Sequence, residues 1–507
     1  MPSAPVRRPM CAPASPRRTA RVPTPPCTCT SPYTRPSPCT GPRTSPYHRP
    51  TSAKRPPLRL APAALLALLV ACGGPQTGDG DQTALDRARF AEHDADTTPD
   101  PLAAVPGRPP TAREVRAIRR LSRIAESLRG LTFVREVPFR VQDRDVITQF
   151  VQDEMEDDEL ERARALYVAI GLLPPDLDIH ALLVRVLGEQ IVGYYDPERS
   201  LLVVREDVVS RLASDGRREL GEAEMVIVHE LVHALQDQRL GLGARYEEER
   251  TIDADNAFAA VVEGDATLAM IGYMIESQNL SLSGLTQRPA VLRQIINDNP
   301  TSMAGSEIDG APAIVRAPLI ARYVDGLLFC AQLHGMNGWP DVDEAHRTPP
   351  VSTEQILHPD LYLRGERPDA LALPPVEIDG FEARPDETLG EMEMGVYFGL
   401  ALDGQDSDRE AAAGWSGDAL RVYVRPEGEA AFVWLSAWDD EAEARQAEAA
   451  AEAVARVRGD VGRGHAVRRR GRAVLIARGL PRDALATFEA AFDELAASLP
   501  PSPPRGR

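Results

Sequence analysis

Apolar residues recur most regularly over residues 222–238, where Met225, Val228, Val232 and Leu235 keep a 3–4–3 spacing and neither Gly nor Pro intervenes. That is the stripe of a helix with one buried face. Residues 253–278 predict a helix of another kind. Nearly every position from Ala257 to Ile275 is apolar or small, as in a helix covered on all sides, with Glu263 and Asp265 as the exceptions. Upstream, Val115, Ile118, Leu121, Ile124 and Leu128 mark a helix over residues 112–128, and further helical patterns cover 144–171, 179–190 and 318–333. Two short β-rich runs on either side of Asp196-Pro-Glu-Arg-Ser200 read as a hairpin. Residues 281–310 are polar and read as a loop. The C-terminal pattern is strand (421–424), strand (431–435), helix (440–456), strand region (466–476) and helix (481–499). The fold class expected is α+β: a mostly helical domain with a small sheet over 111–400, a small α+β domain over 401–499, and a disordered tail at 500–507.

The helix over 222–238 carries His229-Glu230-Leu231-Val232-His233. Residues four apart stand one above the other on a helix. Both imidazoles can therefore reach one Zn²⁺ at about 2.0–2.1 Å, with Glu230 beside them to act as general base on a Zn²⁺-activated water. Two satisfied histidines in a core helix give the same spacing by chance, and a third ligand separates the two cases. A carboxylate within so apolar a stretch as 257–275 is costly unless it is paired or bound to a metal. Glu263 shares its face with Ala259, Ala260 and Thr267, small residues that let the metal and the helix over 222–238 come close. Asp265 lies about 200° round the helix, beside Phe258, Val261 and Leu268. Glu263 is the expected third ligand, and Asp265 the source of a supporting hydrogen bond. The reverse assignment is the alternative.

A histidine pair of this form, with a Glu on a second helix, resembles the gluzincin branch of the zincin metallopeptidases. The longer strings His-Glu-Leu-Val-His-Ala-Leu-Gln-Asp-Gln, Glu-Gly-Asp-Ala-Thr and Gly-Tyr-Tyr-Asp-Pro also resemble a group of largely uncharacterised bacterial metallopeptidase-like proteins, often lipoproteins. The resemblance covers residues 115–438. It implies a zincin-like domain at 111–400, one Zn²⁺ on His229, His233 and Glu263, Glu230 as the base, and hydrolysis of a peptide or protein substrate. Thermolysin-like enzymes place an Asp four residues after the ligand Glu, whereas this chain has Thr267 there and its nearest acid is Asp265. Zincins also use a strand edge beside the metal helix to hold extended substrate, and at most one of Tyr194 and Tyr195 can face such a site. His358 and Tyr362 are candidates for stabilising a tetrahedral intermediate. The competing reading is a non-catalytic zinc-binding envelope lipoprotein with a structural or assembly role.

Residues 1–59 hold eleven Lys/Arg and no acid, together with sixteen of the 45 prolines and four of the six cysteines. Such a composition predicts a disordered extension. Residues 60–71 are a run of Leu, Ala and Val behind Lys54, Arg55 and Arg59, too short to span a bilayer and suited to the h-region of a secretory signal. The run ends in Leu69-Val70-Ala71-Cys72, which resembles the bacterial lipobox. That resemblance implies lipidation of Cys72, export, and anchoring to the membrane of the bacterial cell envelope. Residues 1–53 are then an overlong n-region or an extension ahead of the true start. Residues 72–110, rich in Gly, Asp, Thr and Pro, predict a flexible tether. The net charge of −19 understates how acidic the chain is beyond residue 59, and argues against a nucleic-acid partner. After Cys72 only Cys330 remains, so no intrachain disulfide is expected there. Its apolar neighbours predict a buried small side chain.

Overall fold

Thr111 starts the first helix by accepting the Glu114 N–H at 3.3 Å, while the Glu114 carboxylate returns to the Thr111 N–H at 2.7 Å. This reciprocal cap satisfies two otherwise orphaned donors. The computed structural model describes residues 102–499 apart from 156–157, 189–190, 215–221, 277–278, 299–307, 403–404, 427, 461 and 463. The described residues all lie in one unit, Leu58–Arg507. The basic extension, the signal run with Cys72, the tether up to residue 101 and the tail at 500–507 fall outside the described residues.

The order is α1 (Ala112–Arg129), β1 (Phe139–Gln142), α2 (Arg144–Met155), α3 (Asp158–Ile170), α4 (Ile179–Gly188), β2 (Gly193–Asp196), β3 (Leu201–Arg205), α5 (Glu206–Ser214), α6 (Glu222–Leu240), α7 (Leu242–Tyr246) and α8 (Ile252–Glu276). Then come α9 (Leu282–Thr286), α10 (Pro289–Asp298), a 3₁₀ turn at Ile308–Gly310, α11 (Ala313–Asn337), α12 (Trp339–Arg347), α13 (Thr353–Leu357) and α14 (Pro359–Arg364). β4 (Glu382–Ala383), α15 (Gly390–Phe398), α16 (Gln405–Ala412), β5 (Trp415–Val424), β6 (Ala430–Trp438), α17 (Glu441–Arg458), β7 (Ala466–Arg470), β8 (Ala473–Arg478) and α18 (Arg482–Ser498) complete it. The fold is mixed α+β and mainly helical.

β2 and β3 form the expected antiparallel hairpin, with β1 added parallel to β3, so β2 is the edge strand. Leu202 and Val204 bury one face of this sheet against Ile227, Leu231 and Leu235 of α6 and Leu121 of α1. A Cβ at Gly193 would meet the Val203 carbonyl at 2.6 Å and Ile227 at 3.4 Å. The first contact is a clash, so only glycine fits here against the backbone of β3.

α8 is long and apolar enough to cross a membrane, yet 78% of its most apolar window is buried inside the protein. It is a core helix, flanked by α6 on one side and α11 on the other. α8 and α11 cross backbone to backbone. A Cβ at Gly264 would lie 2.2 Å from the Gly326 carbonyl oxygen, and one at Gly326 would lie 2.1 Å from that of Ala260. Cys330 is buried at this contact, its thiol 3.6 Å from the Val261 carbonyl.

The expected loop at 281–310 is corrected in part. α9 and α10 occupy much of it because Leu282, Leu285, Leu292 and Ile296 pack against α11, and Ser281 caps α9 by accepting the Gly284 N–H at 3.0 Å. Both helices are too short for a period to stand out from polar surroundings.

The C-terminal sheet runs β4-β5-β6-β8-β7, antiparallel throughout. Leu420, Val422, Phe432 and Trp434 face α17 and the helical part, whereas Tyr423, Val433 and Leu475 face Phe488 and Phe492 of α18. Both faces are covered, which explains near-continuous apolar runs in place of alternation. Asp418 fastens the sheet to α15. Its carboxylate accepts the Leu389 and Gly390 N–H groups and the indole N–H of Trp415 and Trp434 at 2.8–3.1 Å. Residue 400 marks no break in packing, since one core runs from Ile147 through Phe398 to Ile476.

Candidate metal centre

α6 presents His229 and His233 on one face, and α8 brings Glu263 against them. His233 Nε2 lies 3.0 Å from His229 Nε2 and 3.5 Å from Glu263 Oε2, and His229 Nε2 lies 3.2 Å from the same oxygen. Donors about 2.0–2.1 Å from a tetrahedral ion stand about 3.3 Å apart. The three donors therefore close on one point at the spacing a small divalent cation requires, and this buried group could bind a metal ion. All three residues are nearly sealed from solvent, at 1%, 4% and 1% exposure.

Without a metal, one proton must hold this cluster together. Burial opposes charge on His233, but the Glu263 carboxylate overrides that and brings the ring up to about 9. Burial also keeps His229 below its usual value. For Glu263 burial works upward, yet the His233 charge and hydrogen bonds from both rings outweigh it and hold the carboxyl well below its ordinary range. A metal must displace the His233 proton. Its apparent affinity should thus fall as pH drops below about 9, by roughly tenfold per unit for one proton released. Zinc titrations against a chromophoric chelator at about pH 6, 7 and 8 check this, and equal affinity across the three would remove His233 from the ligand set.

Glu230 sits one residue beyond His229 and is 2% exposed. Its Oε2 accepts the Tyr195 backbone N–H at 2.9 Å, linking the edge strand β2 to the metal helix. Burial pushes its carboxyl up to about 8. The Tyr195 hydroxyl points elsewhere, donating to Asp237 at 2.7 Å, and Tyr194 stacks on Phe150 with ring centres 4.8 Å apart. Neither tyrosine side chain is among the groups around His229, His233 and Glu263.

Asp265 stands apart from the three donors. It accepts Arg129 Nε at 2.6 Å, His346 Nε2 at 2.8 Å and Gln236 Nε2 at 2.9 Å. Burial would raise its carboxyl, but the Arg129 charge and the His346 hydrogen bond dominate and hold it well below the usual range. Gln236 also reaches His233 Nδ1 at 2.9 Å. The expected downstream candidates lie elsewhere. His358 pairs with Glu391 at 3.0 Å, and the Tyr362 hydroxyl donates to the Thr348 carbonyl at 2.9 Å.

Tyr323 of α11 is the aromatic group beside the centre, with its ring 6.2 Å from that of His229. Burial, together with the charges of Glu263 and Glu230, keeps its hydroxyl protonated well above the usual tyrosine pKa. Sequence reading missed Tyr323, Arg129, His346 and Gln236. Only Gln236 left a signal, one turn beyond His233 on the same helix. A cavity of about 810 Å³ also lies beside α11, walled by residues such as Ile320, Asp325, Leu328, Met392 and Arg409, and none of His229, Glu230, His233 or Glu263 lines it.

One family matches the chain, a domain of unknown function (DUF8575), over residues 378–489. That span takes in β4 through β8 and the first part of α18 and lies outside the metal centre. No curated protein and no solved structure matches.

Proposed function

We propose that the chain is a zinc-dependent metallopeptidase of zincin type, with His229, His233 and Glu263 as the metal ligands. The observation that carries this reading is the convergence of three buried donors at 3.0–3.5 Å with Glu230 alongside. His229, His233 and Glu263 would hold a zinc ion whose chemistry, when bound, would be to lower the pKa of a water to about 7 and to polarise a carbonyl. Glu230 would take the water proton and return it to the leaving amine, once the charge of the metal beside it holds its carboxyl ionised. Tyr195, through its backbone N–H, holds Glu230 in place. Tyr323, protonated, buried and hydrogen-bonded to Glu263, stands beside the ligands as a candidate donor to a developing oxyanion. Digestion of a broad peptide library by zinc-loaded, chelator-stripped and reloaded protein tests the reading. Cleavage that is lost on stripping and regained on reloading is expected, and cleavage indifferent to the metal would sink it.

The depth of burial favours a second reading, a zinc-binding envelope lipoprotein with a structural or assembly role. Structural zinc sites are closed, whereas catalytic ones keep a position open to water, and every residue here is at most 4% exposed. Zinc-loaded protein that cleaves nothing in the library would favour it.

Under either reading the protein is exported and anchored by a lipid on Cys72, as the apolar run at 60–71 and the Leu69-Val70-Ala71-Cys72 string motivate. Cys72→Ala should move the protein from the detergent phase to the aqueous phase in a phase-separation assay. Unchanged partitioning would refute the anchor.

A further inference from the structure

We propose that Gln236 and Asp265 are positioning residues that hold the His233 ring with its proton on Nδ1, leaving Nε2 to meet a metal. The inference rests on the metal reading above and names the residues that make the site competent. Gln236 lies one turn after His233 and is wholly buried. Its Nε2 is 3.0 Å from the Val262 carbonyl oxygen and 2.9 Å from Asp265 Oδ2. A backbone carbonyl can only accept, so the amide nitrogen must face it, and this fixes which end of the amide is which. The amide oxygen is then the atom 2.9 Å from His233 Nδ1. That oxygen can only accept as well. Nδ1 must carry a proton, and in the neutral ring the lone pair falls on Nε2, the atom nearest His229 and Glu263.

Gln236 keeps this orientation because Asp265 is itself pinned. Arg129 at the end of α1 donates to Asp265 Oδ1 at 2.6 Å, bonds Asp343 Oδ1 at 2.5 Å and lies over the Trp339 ring at 4.5 Å. His346 of α12 donates to Asp265 Oδ2 at 2.8 Å. Arg129, Asp265, Gln236 and His346 are each at most 1% exposed. A buried chain of hydrogen bonds thus runs from α1 and α12 through α8 to a ligand on α6. Ligand imidazoles need such a partner on the ring nitrogen away from the metal, and its loss typically costs about 10–100-fold in affinity.

The test is zinc affinity by chelator competition, the exchange protection of the His233 Nδ1 proton by ¹⁵N NMR in zinc-loaded protein, and the thermal midpoint of stripped protein. Gln236→Met keeps the length and removes the acceptor. It should weaken zinc binding by about 10–100-fold and expose the Nδ1 proton to exchange. Were Gln236→Met not to fold, Asp265→Asn alone serves, with an expected loss of about tenfold. Unchanged affinity and protection, with only the midpoint lowered, would reduce the chain to packing and overturn the proposal. Wild-type protein that takes up no zinc would instead overturn the metal reading on which it rests.

Discussion

Glu230→Gln should leave zinc content and folding near wild type while turnover falls by about 10²–10⁴-fold. The reason lies in what the substitution preserves. The Glu230 carboxylate accepts the Tyr195 N–H at 2.9 Å, and a glutamine oxygen can take the same place. An amide cannot take a proton, so the general base is lost and little else. Glu230 lies about 100° round the helix from His229, which makes removal of its charge a small perturbation to the metal. Zinc content, thermal midpoint and peptide turnover measured on the same preparations decide the matter. Turnover that survives in the zinc-loaded variant would exclude Glu230 as the base. Loss of zinc together with turnover would instead make Glu230 part of the ligand set.

That substitution tests chemistry legible in the sequence, because a helix brings residues four apart together whatever surrounds it. The 3–4–3 stripe of Met225, Val228, Val232 and Leu235 set the face of α6, and the charge of Glu263 in an otherwise apolar helix marked it out. The small residues Ala259 and Ala260 were expected to admit α6, whereas Ala260 meets α11 at Gly326. What sequence could not supply is which distant side chains converge. Asp265 shares Arg129, 136 residues away, and His346, 81 residues away. Neither partner lies on a repeating pattern with it. Tyr323 reaches the centre only because two glycines let α8 and α11 touch, a property of both helices together. Local spacing likewise placed His358 and Tyr362 downstream but not in space, where they serve Glu391 and the Thr348 carbonyl. In the C-terminal region the elements were readable from composition, yet the sheet reaches back to β4 at Glu382–Ala383, which is too short to leave a pattern.

His229→Ala, His233→Ala and Glu263→Ala should each bring bound zinc from near stoichiometric to background, and Asp265→Asn should lower it less. The three donors stand within 4.8 Å of one another, so removing any one leaves two, too few for a structural or catalytic zinc site. Asp265 acts at one remove, through Gln236. Its substitution carries a different penalty, because buried Arg129 then keeps Asp343 but loses the charge of Asp265. Breaking a buried pair of this kind costs about 3–5 kcal/mol, so zinc must be counted per folded molecule, with circular dichroism on each sample. If Asp265→Asn empties the site while Glu263→Ala keeps its zinc, the two carboxylates exchange roles. In that case α8 would have to rotate by about 200° relative to α6, and Gly264 could no longer meet Gly326.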